Sequence, residues 1–169
     1  MIIAISGTPG TGKHTVSKVL ARKIDYDILD LNRILKRGKK EREVTLEEVN
    51  KAFKKNEKDN LLVVSHLSHF IKSKDISFVI VLRTDPITLI KRLEKRGYKK
   101  EKIYDNAIFE SMNGTYTEAL QMKKKVFQVD NTKNINNTIK KVMLIIAGKG
   151  KGEKVDFSEK ILKVEKMFK

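Results

Sequence analysis

The chain has 169 residues, 40% hydrophobic and 34% charged, which is enough apolar material for one buried core and excludes a disordered chain. The absence of cysteine excludes disulfides and thiol catalysis, and no apolar run approaches the roughly 18 residues of a membrane span. The net charge of +16 attracts polyanions such as nucleotides or RNA, although a lysine-rich solvated surface explains the excess equally well.

The first predicted element is a strand at Ile2–Ile5, a short apolar run of the kind covered on both faces in a parallel sheet. A glycine-rich segment, GTPGTGKHT, follows from residue 7 to residue 15. Val16, Leu20 and Ile24 then share one face of a predicted helix. A strand, a glycine loop and a helix in this order are the context of a phosphate-binding loop.

The chemistry of this loop follows from its residue types. Gly10 and Gly12 allow backbone N–H groups to turn inward, and Lys13 adds a full positive charge for the β- and γ-phosphates. The usual motif has Ser or Thr directly after the lysine to bind Mg²⁺, whereas His14 occupies that position and Thr15 follows. We expect Thr15 to contact a phosphate. His14 either hydrogen-bonds a phosphate or only begins the helix.

The next part of the chain alternates weaker and stronger strand signals. A weak strand candidate at Tyr26–Leu29 precedes a highly charged segment over residues 31–58, and Leu61–Val64 is a clear buried strand. The sequence SHLSH follows, where many P-loop enzymes have an acidic residue that holds metal-bound water. His66 has either a functional role or a core or capping role, and for His69 we expect the core or capping role.

A further strand is predicted at Phe78–Leu82, and the helix after it has clear ends. Asp85, followed by proline, is an N-cap, and Gly97 marks the C-terminal end. Arg92 and Arg96 lie four residues apart, so that one helix face can direct both guanidinium groups toward a transferring phosphoryl group. Both are candidate catalytic residues.

The rest of the chain completes an alternation of strands and helices. A charged segment over residues 95–106 is followed by a weak strand at Val126–Val129 and a helix with an apolar face from Ile135 to Ile146. A Gly/Lys stretch from Gly148 predicts a flexible hinge, and apolar residues at helical spacing between Phe157 and Phe168 predict a short helix that packs on its own domain. The alternation predicts a doubly wound α/β fold in one continuous domain.

Four motifs together resemble the archaeal and nuclear adenylate kinase isoenzyme 6 family. They are GTPGTGK near the start, SHLSH after the third strand, VDNT after the fifth strand, and the discriminating string LRTDP…RL…RGY…K…DN…E. The resemblance spans roughly residues 1–146. It implies a P-loop NTPase fold of the nucleoside monophosphate kinase type, with a parallel five-stranded sheet flanked by helices.

The resemblance also implies the organisation of the site. Residues 1–169 would be a single P-loop kinase domain, with a monophosphate-binding arm at about 30–55, a lid at about 96–108 and a basic C-terminal extension at about 149–169. The positions carried over from the family as ATP-binding or catalytic are Gly10, Gly12, Lys13, His14, Thr15, His66, Arg96 and Lys133. Arg92 is added as a catalytic candidate because of its helical spacing from Arg96. Mg²⁺ would be held with ATP largely through water, without a direct protein ligand, and Thr15 is the alternative ligand. The resemblance also implies a role for His66 in ATP hydrolysis, as the candidate to orient the attacking water.

The family comparison favours one of three functional hypotheses. It implies a broad-specificity adenylate kinase (ATP + AMP to 2 ADP) with ATPase activity, acting in small-ribosomal-subunit maturation and rRNA processing beside a platform ribosomal protein. One alternative is a purely metabolic nucleoside monophosphate kinase. The other is a nucleotide-gated binding module with negligible turnover, and the missing carboxylate after the third strand favours this module. We expect a cytoplasmic protein, because Met1 leads into an apolar run without a signal-peptide pattern.

Overall fold

A parallel five-stranded sheet forms the centre of the fold in a computed structural model that describes residues 1–36, 44–122 and 125–169. The strands are β1 (Ile2–Ser6), β2 (Asp27–Asp30), β3 (Leu61–Val64), β4 (Ile76–Arg83) and β5 (Val126–Asp130). They lie in the order β2-β3-β1-β4-β5, and every neighbouring pair is parallel. The predicted sheet is confirmed, and the loop after β1 begins at its centre, where strand order reverses and ligands bind in open α/β sheets.

Helices cover both faces of this sheet. In the described residues they are α1 (Lys13–Ile24), α2 (Leu31–Lys36), α3 (Leu46–Asn56), α4 (Pro86–Glu94), α5 (Lys100–Ser111), α6 (Gly114–Gln121), α7 (Ile135–Ile146) and α8 (Ile161–Phe168), with short 3₁₀ turns at Ser68–Phe70 and Ser158–Lys160. Helices α1 and α7 bury their apolar stripes against one face, and α3 and α6 pack on the other. None of these helices has the length and hydropathy that a membrane span requires.

The helix predicted after the fourth strand has the expected ends. The Asp85 carboxylate accepts hydrogen bonds from the backbone N–H groups of Ile87 and Thr88 at 3.1 Å, which caps α4. Gly97 adopts a φ of 70°, and the N–H of Tyr98 bonds to the carbonyl of Leu93 at 3.2 Å. The chain therefore turns sharply just after α4, and residues 96–99 leave its axis.

The segment expected to be a flexible hinge is instead bonded along the edge of β5. The Glu153 N–H donates to the Gln128 carbonyl at 2.8 Å, and the Glu153 carboxylate accepts from the Asp130 N–H at 2.9 Å. Helix α8 then packs on its own domain as predicted, with Val164 buried among residues of α4 and α5. The C-terminal extension is thus part of the described core.

The two segments carried over as arm and lid have different structures. Residues 30–55 contain α2 and α3, and part of this segment, residues 37–43, lies outside the described residues. Residues 96–108 comprise an exposed turn and the first part of α5. Helix α5 is not loosely packed, because Ile103 and Ala107 are buried against α4. Closure of a lid stays a prediction that concerns chiefly the turn at residues 96–99.

Candidate functional site

The glycine loop between β1 and α1 has the backbone that a phosphate-binding loop requires. Gly10 and Gly12 adopt φ angles of 91° and 89°, in the left-handed region that side chains with a Cβ rarely adopt. A Cβ added to Gly12 would lie 2.4 Å from the Asn131 amide nitrogen. The loop is fixed internally by the Thr11 hydroxyl, which donates to the Thr8 carbonyl at 2.8 Å.

Lys13 is a buried cation at the base of this loop. Its side chain is 5% exposed, and its Nζ donates to the carbonyls of Gly7 at 2.6 Å and Thr8 at 3.0 Å. Burial is the main cause that lowers the pKa of Lys13 to about 7, with Arg96 acting in the same direction and Glu110 opposing it. The two carbonyl oxygens carry only partial negative charge, so an anion bound beside Lys13 would stabilise its ammonium form further.

A cavity of about 420 Å³ lies over the loop. It is lined by Pro9, Gly10, Gly12, Lys13, His14, Thr15, Asn32, His66, Arg96, Tyr98, Lys102 and Asn106. Three side chains in this lining, those of Lys13, Arg96 and Lys102, carry positive charge, and among the described residues none that line it is a carboxylate. The cavity is therefore complementary to a polyanion.

Most of the predicted site residues meet in this cavity, and Arg92 does not. The Arg92 guanidinium donates to the carbonyls of Asn131 at 3.0 Å and Thr132 at 2.9 Å, and more weakly to Thr84 and Gly10. Helix α4 ends before Arg96, so only Arg96 follows the turn toward the cavity. In the structure Arg92 connects α4 to the loops after β4 and β5, and burial and then the nearby charge of Arg96 lower its pKa. A catalytic role for Arg92 beside Arg96 stays a prediction.

Lys133 is the other predicted residue outside the cavity lining. It is exposed in the short loop between β5 and α7, next to Thr132, whose carbonyl accepts a hydrogen bond from Arg92. Its position beside an adenine base stays a prediction.

Arg83 and Glu110 form a buried charge pair next to the loop, and neither residue has a predicted role. Glu110 accepts hydrogen bonds from Arg83 Nε at 2.7 Å, from the Thr84 N–H at 3.0 Å and from the Thr8 hydroxyl at 2.5 Å. Arg83 and Glu110 are each 1% exposed. The pair connects β4 and α5 to the phosphate loop. The 27-residue separation of Arg83 and Glu110 gives no local sequence signal for it.

The end of β3 contributes a polar wall. His66 lines the cavity, and the neighbouring Ser65 hydroxyl donates to the Asn32 side chain at 3.1 Å. His69 is buried, and its ring nitrogens lie 2.7 Å from the Ser6 hydroxyl and 3.1 Å from Glu118, which agrees with a core role. Burial raises the pKa of Glu118.

The end of β2 brings one carboxylate to the edge of the loop. Asp30 Oδ2 lies 3.2 Å from Nδ1 of His14, and its Oδ1 accepts from the Arg33 N–H at 3.1 Å. In the described residues no cluster of three His, Cys, Asp or Glu side chains could hold a metal ion. The residues present fit a divalent ion that takes most of its ligands from phosphate oxygens and water. Thr15, His14 and Asp30 are the nearby side chains.

Comparison with known proteins agrees with this geometry. The AAA domain family matches residues 3–113. An archaeal relative from Thermococcus kodakarensis, named "Putative adenylate kinase", is 36% identical over 169 residues and covers 94% of each chain. Relatives with the same name from Methanosarcina acetivorans and Methanocaldococcus jannaschii are 37% and 32% identical and cover 78% and 95% of this chain, which spans 78% and 94% of theirs.

Solved structures of small-molecule kinases share the fold. Deoxyadenosine kinase from M. mycoides with bound dATP superposes with a TM-score of 0.59 at 21% identity, over 87% of this chain and 100% of the other. Shikimate kinase from Bacteroides thetaiotaomicron gives a TM-score of 0.60 at 17% identity, over 87% and 98%. At these identities the likeness establishes a P-loop kinase fold and no substrate.

Proposed function

The chain belongs to the adenylate kinase-like P-loop family of archaeal proteins, and on this premise we propose that it transfers the γ-phosphoryl group of ATP to AMP and forms two ADP. The observation that carries the proposal is the charge of the cavity over the loop. Lys13, Arg96 and Lys102 line it together with Gly10 and Gly12 of the loop, and no described carboxylate lines it. Such a site binds phosphate groups and lowers the repulsion between two nucleotides.

The proposed reaction is an in-line displacement. A phosphate oxygen of AMP forms a bond to the γ-phosphorus of ATP while the bond from that phosphorus to the β,γ-bridging oxygen breaks, so that the electron pair stays on ADP. Lys13 neutralises charge that develops on the β,γ-bridging oxygen, and Arg96 neutralises charge on the transferring group. Mg²⁺ bound with ATP would supply further neutralisation, and Thr15 is the loop hydroxyl that would lie near it.

Hydrolysis is the second reaction that we propose, with a water molecule in place of AMP. His66 lies in the cavity wall after β3, where an imidazole can orient that water. Ser65, which bonds to Asn32, is beside it in place of a carboxylate. We expect hydrolysis to be slower than transfer to AMP, because the acceptor phosphate is positioned by the same cationic groups and water is not.

A test of the proposed function measures ADP formation from ATP with and without AMP. We expect AMP to raise the rate and the product ratio to approach two ADP per ATP consumed. The Lys13→Met variant should lose both activities and remain folded. Nucleotide binding without turnover in either assay would instead support a nucleotide-gated binding module.

The proposed cellular role is in the maturation of the small ribosomal subunit, with a platform ribosomal protein and the precursor RNA particle as partners. The exposed lysines of the described C-terminal residues, including Lys163, Lys166 and Lys169, support contact with RNA. Adding the ribosomal protein to the ATPase assay tests this role. A change in turnover supports the assembly factor, and unchanged turnover together with a strong response to AMP supports a metabolic kinase.

A further inference from the structure

The Glu110 carboxylate bonds to the phosphate loop with one oxygen and to the end of β4 with the other. Its Oε1 atom accepts from Arg83 Nε at 2.7 Å and from the Thr84 N–H at 3.0 Å, and its Oε2 atom accepts from the Thr8 hydroxyl at 2.5 Å. Thr8 and Glu110 are each 1% exposed. The Thr115 hydroxyl lies 3.5 Å from that of Thr8, which is long for an O–H···O bond, so Glu110 is the main partner of the Thr8 side chain.

Arg83 limits the movement of Glu110. Its Nη2 donates to the Glu110 carbonyl at 2.8 Å, its Nη1 donates to Gln128 Oε1 at 2.9 Å, and its guanidinium lies 5.4 Å from the centre of the Phe157 ring. The Arg83 side chain is buried, so water does not compete for these contacts. A paired carboxylate with several charge-assisted hydrogen bonds therefore faces the loop in one fixed orientation.

The backbone of Thr8 is bonded in turn to the part of the loop that includes Lys13. The Thr8 carbonyl accepts from the Thr11 N–H at 3.2 Å, from the Thr11 hydroxyl at 2.8 Å and from Lys13 Nζ at 3.0 Å. The neighbouring Gly7 carbonyl accepts from the same Nζ at 2.6 Å. A shift of Thr8 would therefore move the oxygen atoms that hold the ammonium group, and the bond between Thr8 and Glu110 opposes this shift.

Glu110 also belongs to the helix that forms one wall of the cavity. Lys102 and Asn106 of α5 line the cavity, and Glu110 follows after a further four residues on the same side of the helix. The bond between Glu110 and Thr8 thus fixes the loop relative to this wall. Phosphoryl transfer depends on the placement of charged groups around the transferring group, so a small shift between loop and wall is costly.

From these contacts we infer that Glu110 is a positioning residue for phosphoryl transfer, which acts through the Thr8 hydroxyl to fix the loop carbonyls that hold Lys13. The inference rests on the proposed transfer from ATP to AMP, in which Lys13 neutralises charge on the β,γ-bridging oxygen. This charge develops in the transition state, so a displaced ammonium group lowers kcat more than it raises KM.

The test removes the Thr8 hydroxyl and keeps Glu110, because Glu110→Gln would leave the Arg83 charge buried without its carboxylate and destabilise the fold. Thr8→Val should lower kcat of the AMP-dependent reaction by about tenfold or more, with the KM values for ATP and AMP within about twofold of wild type. Thr8→Ser keeps the hydroxyl and should restore kcat.

Ser111→Ala is the matched control for the loss of a buried hydroxyl. The Ser111 hydroxyl is next to Glu110 in the chain, and it donates within α5 to the Ala107 carbonyl at 2.8 Å. Its removal should lower stability as Thr8→Val does and leave kcat unchanged. A loss of kcat caused only by reduced stability would therefore appear in both variants.

Hydrogen exchange in the empty protein gives a readout that does not depend on turnover. The Thr11 N–H, which bonds to the Thr8 carbonyl, should exchange about tenfold faster in Thr8→Val relative to the amides of β1, and at the wild-type rate in Thr8→Ser and Ser111→Ala.

Three results would overturn the inference: an unchanged kcat in Thr8→Val, an unchanged exchange rate of the Thr11 N–H in that variant, or an equal loss of kcat in Ser111→Ala. Absence of AMP-dependent turnover in the wild type would instead refute the proposed function. The exchange rates would then decide by themselves whether Glu110 fixes the loop.

Discussion

The environment of Lys13 in the empty protein favours the binding of an anion. The fold buries its ammonium group with only carbonyl oxygens as described hydrogen-bond partners, and burial lowers its pKa to about 7. Between this pKa and its ordinary value of 10.5 the unfolded chain binds more protons than the folded chain. Lys13 therefore makes the free energy of unfolding of the empty protein increase with pH over this range.

Nucleotide binding should reverse this shift, because phosphate charge favours the protonated amine. We expect the binding of β,γ-methylene-ATP at about pH 8.5 to take up close to one proton, and less near pH 6, where Lys13 is already charged. Calorimetry in buffers with different ionisation enthalpies measures this uptake. The Lys13→Met variant, which has no amine at this position, is the control. Uptake that is unchanged in this variant would show that another group is responsible.

Arg92 and Arg96 form a matched pair for separating a structural from a catalytic role. Arg92→Ala removes hydrogen bonds to the Asn131 and Thr132 carbonyls and should lower the free energy of unfolding by roughly 1–3 kcal/mol. Arg96→Ala should leave stability within about 0.5 kcal/mol, because Arg96 is exposed, and should lower kcat more than it weakens ATP binding. Urea unfolding and steady-state kinetics measure both. Equal effects of the two variants on kcat would contradict the assignment.

At the scale of elements, the apolar pattern predicts the central strands and main helices well, because β1 and β3 are buried along their whole length and β4 along almost all of it. β3 matches its predicted range, and β2 begins one residue later than predicted because Tyr26 precedes the pairing with β3. The site is only partly predictable. The loop motif identifies Gly10, Gly12 and Lys13 from local sequence. The contribution of Tyr98 and Lys102 depends on how the turn after α4 and helix α5 pack, which no local pattern encodes.

The same limit applies to the helix face predicted for Arg92 and Arg96 and to the unpredicted contacts of Glu110. A four-residue spacing places two side chains on one helix face only while the helix continues, and α4 ends at Glu94. Glu110 bonds to Arg83 and Thr8, which come from distant parts of the chain. Long-range contacts of this kind are set by tertiary packing, so the sequence identifies such residues without their partners.

Helix α8 packs on α5, which is one of the elements that line the cavity. Val164 is buried among Leu93, Ile103 and Ala107, and the Phe168 ring lies 5.4 Å from that of Tyr104 on α5. Helix α5 also provides Lys102 and Asn106 to the cavity wall. The C-terminal extension therefore contributes to the placement of this wall as well as to the charge of the surface.

This packing predicts unequal effects of two apolar truncations on the same helix. Val164→Ala should lower the free energy of unfolding by roughly 1–3 kcal/mol, because it leaves a cavity between α8 and α5. Leu162→Ala removes a side chain that is 69% exposed and should change stability by no more than about 0.5 kcal/mol. Denaturant unfolding measures both. Similar small losses in the two variants would mean that α8 does not dock on α5 in solution.

At the scale of the whole molecule, the excess of positive charge is larger than an ATP site needs. Residues 149–169 carry seven lysines against four acidic side chains, so most of the excess lies elsewhere along the chain. Of the arm carboxylates, Glu48 bonds to the backbone of Thr45 in a capping box at the start of α3, and Glu41 and Glu43 lie outside the described residues. If the proposed ribosomal partner is basic, Glu47 is the exposed carboxylate that the described residues of the arm, residues 30–55, present to it.

The proposed contact with ribosomal RNA gives the last prediction. If the α8 lysines bind phosphates, replacing Lys163 and Lys166 with Gln should weaken attachment to the precursor particle and reduce the dependence of log K on log salt by about 0.9 per lost phosphate contact. Replacing Lys51 and Lys55, exposed lysines on α3, is the control for total charge. Filter binding at several salt concentrations measures the slope. Equal loss in both variants would indicate nonspecific attraction by net charge, because only a localised contact distinguishes one lysine cluster from another.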